Sequence, residues 1–362
     1  SGAISVSGLG SFDAGTNNIT LGDGTTANFG SLTFNTTNGA VAINEDSATV
    51  LTGTNTADSL TLVSTDSVTD AAGTSLTIDN GNASIIGTSI SLADNNTDVL
   101  SVSSGTAILD AGAGAITVAD DGAANFGSLT FNTTNGAVAI NEDSATVLTG
   151  TNTADSLALV SGGNITQTGA VTVDKTTTLK VTTATSNIRL DTQINYFGGN
   201  VSVVGTQTNV QDFGLRNTNG SGTVPTLSGL FNLRNLFLTF DSAAIDLLTL
   251  NANSATIVAG GAITDSGAIS VSGLGSFDAG TNNITLGDGT TANFGSLTFT
   301  TSGAVAITEA SATVLTGTNT ADSLTLVSTD SVTDAAGTSL TTHNGTASIT
   351  GTTTSLAPHT TH

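Results

Sequence analysis

The chain has 362 residues, with 43 Gly, 2 Pro, one Tyr and no Cys, Met or Trp, and only 9% of its residues are charged. Its 28 acidic and 5 basic side chains give a net charge of −23, which repels nucleic-acid phosphates and argues against nucleic-acid binding. The lack of Cys excludes a disulfide framework and thiolate metal sites, and no apolar run approaches the ~18 residues of a transmembrane helix.

Low charge and a mean hydropathy of +0.21 also argue against disorder. No charged and apolar leader precedes Ser1, so the chain is expected to be processed or to be a piece of something longer.

The chain repeats itself from its first residue. Stretch 1–34 recurs at 266–299, and 39–76 recurs almost verbatim at 303–340. A third copy, 124–161, matches 27–64 at an offset of 97 residues. The offsets of 97, 168 and 265 lie within one residue of 4, 7 and 11 times 24. Between copies, Leu60, Val68, Leu76, Leu92, Leu100, Ile108 and Ile116 fall on an eight-residue grid that only Ser84 breaks. Around these anchors apolar and polar residues alternate, as in Leu60-Thr61-Leu62 and Ile116-Thr117-Val118. Period-two alternation with β-branched residues is strand chemistry, and the Asn-Gly and Asp-Gly pairs between are turn chemistry.

A strand and a turn every eight residues predict an all-β fold, a parallel β-helix (β-solenoid) with three short strands per coil of about 24 residues. A string of immunoglobulin-like sandwiches is the rival. The 168-residue offset and the divergence after Ser161 count against it, because whole-domain duplication respects domain ends. Helix is nearly excluded, since Gly, Thr, Ser and Asn are poor helix formers.

Region 174–257 departs from the pattern and holds all five basic residues: Lys175, Lys180, Arg189, Arg216 and Arg234. It also holds Tyr196 and the apolar run "LSGLFNLRNLFLTFDSAAIDLLTL" at 227–250, with Phe231 and Phe237. These eight named residues form a candidate interaction patch. The expected reading is diverged coils with a wider core; the run is alternatively an extra strand layer or a short helix packed on the solenoid. Asp191, Asp212 and Asp241 lie among the arginines, so a polysaccharide-binding or -cleaving β-helix is a minor alternative.

No catalytic, cofactor-binding or metal-binding residues stand out, and the chain is expected not to be an enzyme. The acidic turns "GDG" (22–24), "ADNNTD" (93–98) and "ADDG" (119–122) offer oxygen ligands for Ca²⁺. Solvated turns are the plainer reading. Thr runs such as "KTTTLKVTTAT" (175–185) lack the strict T-x-T recurrence of an ice-binding face.

In the last copy, Thr342, Thr350 and Thr354 stand where Ile78, Ile86 and Ile90 stood, as expected of a polar end to a core. His359 and His362 read as a tail rather than a metal site, with no acidic or thiol partner nearby in sequence.

The phrase "GGAITDSGAISVSGLGSFDAGTNNITL" (260–286) resembles the repeats of very large secreted bacterial proteins of the filamentous haemagglutinin type. "GGNITQTGAVTV" (162–173) is a near twin of its opening, and the chain begins partway through the same phrase. The resemblance covers most of the chain and is weakest at 174–257. It implies a right-handed parallel β-helix in a surface adhesin or filament, secreted or held at the bacterial cell surface. The chain then divides into three segments: coils at 1–173, diverged coils with a possible insertion at 174–257, and coils at 258–362 that duplicate the N-terminal part. The implied partners are surface glycans or proteins of a host or neighbouring cell, or further copies of the chain in a filament. A self-assembling fibre or sheath subunit is the alternative.

Overall fold

A computed structural model describes residues 2–231 and 233–357. The chain divides into two compact units, Ser1–Thr183 and Ala184–His362. Each is a parallel β-solenoid, and together they wind about 16 turns with almost no helix. A single 3₁₀ turn at Gln207–Asn209 is the one helical element among the described residues. The tail histidines, His359 and His362, lie outside the described residues.

In the first unit, the pairing of successive turns defines three ladders. One climbs from Val41 through Leu60, Ala83 and Ala107 to Leu129. A second climbs from Thr49 through Val68, Ile90 and Ile116 to Val138. The third runs from Asn35 through Thr56, Thr77 and Ser101 to Asn125. Along each strand, alternate side chains point inward and are buried. Leu60 and Leu62, for example, are 2% and 0% exposed on either side of exposed Thr61. Stacking like on like buries a face that one turn alone leaves open.

The coil length is not a constant 24. Val41 meets Leu60 only 19 residues on, Ile90 meets Ile116 after 26, and in the second unit Ile245 meets Ile263 after 18. The ladders demand that inward residues meet inward residues; they do not demand equal corners. Corners protrude into solvent and absorb the difference.

The duplications do not copy whole turns either. Asn125 is the sequence twin of Asn28, yet its ladder descends in four steps to Asn35. Val138, the twin of Val41, sits on the ladder of Thr49. The copy is therefore fitted one face further round. A one-face shift keeps inward residues inward, whereas a one-residue shift reverses them.

The eight-residue grid fails at one anchor. Ile108 is only half-buried, while Ala107 and Leu109 on either side are each 1% exposed. The ladder register slips between Val102 and Thr106, and that bulge reverses the parity of the strand beyond it. At the polar end of the last copy, only part of the expectation fits. Ile78 and Ile90 are buried, but Ile86 is 37% exposed, so Thr350 replaces an outward residue.

The Leu/Phe-rich run is neither an extra layer nor a helix. Strand Leu233–Phe240 takes an ordinary place between Val210–Asn217 and Leu250–Ala259. Its Leu236, Leu238 and Phe240 are fully buried, so larger side chains fill the core there.

The repeated module has a polar interior that alternation alone does not announce. Glu45, Glu142 and Glu309 are buried at equivalent positions, at 1%, 1% and 0% exposure. One carboxylate oxygen of each accepts the backbone N–H of Phe29, Phe126 or Phe294, at 3.0, 3.1 and 2.9 Å. The other accepts the hydroxyl of Thr49, Thr146 or Thr313. Asn55, Asn152 and Asn319 likewise accept from Phe34, Phe131 and Phe299. In each copy the next turn is short and supplies a corner where a strand would lie, so these side chains stand in for the missing ladder carbonyls. An unpaired buried N–H costs about 1–3 kcal/mol, which explains why polar groups are retained in an apolar core.

Candidate functional site

The second unit carries an outward face on strands Ser186–Leu190, Val210–Asn217 and Leu233–Phe240. Arg189, Gly214 and Phe237 are ladder partners in successive strands. Gly214 has no side chain, so the Arg189 guanidinium passes over it and stacks on the Phe237 ring at 4.1 Å from the centroid. Asp191 holds the guanidinium from the side through two bonds, Nε–Oδ1 at 2.8 Å and Nη2–Oδ2 at 2.7 Å. A Cβ on residue 214 would stand 2.2 Å from Asp191 Oδ1, so glycine is required for this arrangement.

Beside this, Arg234 grips Asp212 through Nε at 3.0 Å and Nη2 at 2.5 Å, and Asn235 donates to the same carboxylate at 2.9 Å. Burial pushes the Asp212 carboxyl up, but Arg234 and Asn235 outweigh it and hold it below its ordinary range. Arg216 pairs with Asp241 at 3.0 Å.

The structure thus brings Arg189, Arg234 and Phe237 of the expected patch onto one face, with Arg216 on the middle strand. It leaves none of the three arginines as a free cation. Lys175 and Lys180 belong to the first unit, where Lys175 pairs with Asp155 at 3.1 Å. Tyr196 and Phe231 are 40% and 65% exposed. Asp191, Asp212 and Asp241, the carboxylates considered for chain cleavage, each carry an arginine partner. Gly214 was missed in sequence, although a lone Gly inside a strand signals close approach of another group.

Of the acidic turns, 93–98 folds into a cluster. Asp94 and Asp98 join Asp70, each offering an oxygen within 4.8 Å of the others, the one such group of three among the described residues. Asp98 is 1% exposed and accepts N–H bonds from Gly73, Thr74 and Asn95. Its carboxylate closes these turns by itself. Asp70 takes the Ala93 N–H on Oδ2 at 2.9 Å, while Oδ1 is buried with no protein partner. Burial raises the Asp70 carboxyl to about 6, with Asp98 and Asp94 adding to the effect and the Ala93 N–H opposing it.

Stretches 135–204 and 233–301 match the family model for repeats of unknown function (DUF5649). Together they cover less than half of the chain. No curated protein and no solved structure matches it. The matched stretches take in both copies of the "GG-x-I-T" phrase, at 162–173 and 260–273, whose letters are ladder and corner positions. The similarity is therefore to a repeat architecture, and it names no chemistry.

Proposed function

We propose that the chain is a stiff structural module of a bacterial surface protein or extracellular filament, of the filamentous haemagglutinin type. The observation that carries this reading is the interior itself. Ladders run turn upon turn, and even the corners that break them are closed by buried Glu, Asn and Thr side chains. A protein built this way resists bending and proteolysis through its backbone bonds, with no active centre required. Low charge, absent Cys and the repeated phrase fit an exported chain.

The test is localisation in the native cell combined with imaging. Antibodies raised against the chain should label intact cells or shed filaments, and negative-stain images should show rods. Rods in register along a filament favour a self-assembling subunit, and isolated surface projections favour an adhesin stalk. Labelling only after lysis overturns the reading.

A further inference from the structure

In the second unit one ladder is interrupted. A six-stranded sheet begins at Ile245–Leu247 and continues through Ile263–Asp265 and Ile284–Leu286 to Ala347–Thr350. The turn before Ile245–Leu247 supplies no strand there. Segment 222–226 (GTVPT) lies between it and Val201–Val203 without joining any ladder. Pro225 has no N–H to give, which alone bars a regular pairing. The excursion after Asn217, described from 218 to 231, runs far longer than the other corners among the described residues. Long ordered loops in compact proteins are more often functional than incidental.

The interruption opens two clefts, one on each side of Thr223 and Val224. The larger encloses about 380 Å³, between this segment and the stretch 200–207. The smaller encloses about 270 Å³ against Ala244, Asp246 and Leu248. The larger lies within the roughly 300–1,000 Å³ typical of small-molecule sites.

The walls are held in place. Asn217 accepts the Phe197 N–H at 3.0 Å and returns a bond to its carbonyl at 3.1 Å. Asn219 donates to the same carbonyl at 3.0 Å. Leu227 and Leu230, each 1% exposed, anchor the loop in the core. Gln207 donates to Val203 O at 2.6 Å, and its carboxamide fills the space at Gly229, where a Cβ would stand 1.4 Å from Oε1.

The lining decides the ligand. No side chain around the larger cleft is ionisable. It offers the carboxamides of Asn200 and Gln207 and the hydroxyls of Thr223 and Thr226, with Val224 and Pro225 as an apolar wall. Asn200 and Thr223 meet across it at 3.3 Å, a long bond that a competing hydroxyl can replace. Carboxamides both donate and accept, which suits vicinal hydroxyls, and the apolar wall suits the C–H face of a sugar ring. An anionic ligand would find no counter-charge in this cleft and a chain of net charge −23 around it. A peptide strand would find the gap already filled by 222–226.

We propose that this interrupted ladder is a binding site for an uncharged oligosaccharide, whose rings lie across Thr223 and Val224 from the larger cleft into the smaller. The site goes beyond the structural role above and stands or falls separately from it.

Isothermal titration of the full chain with neutral hexasaccharides of glucose (α-1,4 and β-1,4) and mannose, beside hexagalacturonate, tests the proposal. At least one neutral probe should bind, and hexagalacturonate should bind at least about tenfold more weakly. The double variant Asn200→Ala/Thr223→Val alters two exposed side chains, so its circular dichroism should match that of the parent. It should lose about tenfold or more in affinity. Gly229→Leu, which forces Gln207 out of place, should abolish binding. Absence of binding by every neutral probe at millimolar concentration, equal binding of hexagalacturonate, or unchanged affinity in a folded double variant each overturns the proposal.

Discussion

At the scale of single residues, the informative positions are the buried polar ones. Glu142 accepts from Phe126 N, Ser144 Oγ and Thr146 Oγ1 inside the core. Glu142→Ala should therefore destabilise the protein by about 1–3 kcal/mol in urea unfolding, since the Phe126 N–H loses its acceptor. Glu142→Gln should cost less, because the carboxamide oxygen still accepts and the Thr146 hydroxyl can turn to accept in return. The same positions set the response to acid. Burial raises the carboxyls of Glu142 and Glu309 above their ordinary value, and that of Asp70 to about 6. A carboxyl whose folded value lies above its unfolded one favours the folded state when it is protonated. These groups should make the protein more stable as pH falls from 7 through about 6 towards their unfolded values near 4. Thermal melts between pH 7.5 and 4.5 would show a rising midpoint; a steady fall would contradict these assignments. Asp212 acts the other way, its lowered value giving stability that is lost only when pH drops below the ordinary carboxylate range. Gly214→Val should push Asp191 and Arg189 off the sheet, removing a cation–π contact of about 0.5–1 kcal/mol. Faster tryptic cleavage after Arg189 would report it.

At the scale of strands and corners, parity matters and length does not. One residue inserted within Ile116–Val118 should reverse its inward face and abolish the cooperative transition seen by circular dichroism. The same insertion beside Gly112, whose positive φ of 58° marks an exposed corner, should shift the midpoint only slightly. This difference also explains what was legible in the sequence. Alternation such as Leu60-Thr61-Leu62 is a direct consequence of which side chains meet the core, so strands and the stacked fold could be read from it. Corner length leaves no such trace. The apparent 24-residue ruler therefore concealed coils of 18 to 26 residues. Ile108 was misplaced because a bulge at 103–105 changes parity without breaking the apolar pattern. Glu45 and Asn55 carry no signal of their own in the sequence, since only the missing strand opposite them gives them their task. The arginines of the 174–257 region were legible as a group. Their pairing with Asp191, Asp212 and Asp241 was not: Arg234–Asp212 and Arg216–Asp241 join residues 22 and 25 positions apart across a turn, and the local pair Arg189–Asp191 takes its geometry from Gly214 on the next strand.

At the scale of the whole molecule, a charge of −23 on a chain with 5 cations means that repulsion is distributed rather than paired away. Raising ionic strength should therefore increase the melting midpoint, in contrast to proteins held by surface ion pairs, which lose stability as salt screens them. A midpoint that falls with salt would assign more weight to the few Arg–Asp pairs than their number suggests. The one-face offset between copies 27–64 and 124–161 has a further consequence, for the gene. Near-identical tracts invite unequal crossing-over, and most such events in ordinary proteins yield a frame of sequence that cannot fold. Here an exchange need not span a whole number of turns; joining any two strands of matching parity restores a competent wall. Alleles of different length should therefore arise readily within a population and survive, so that copy number becomes a heritable setting for how far the structure extends.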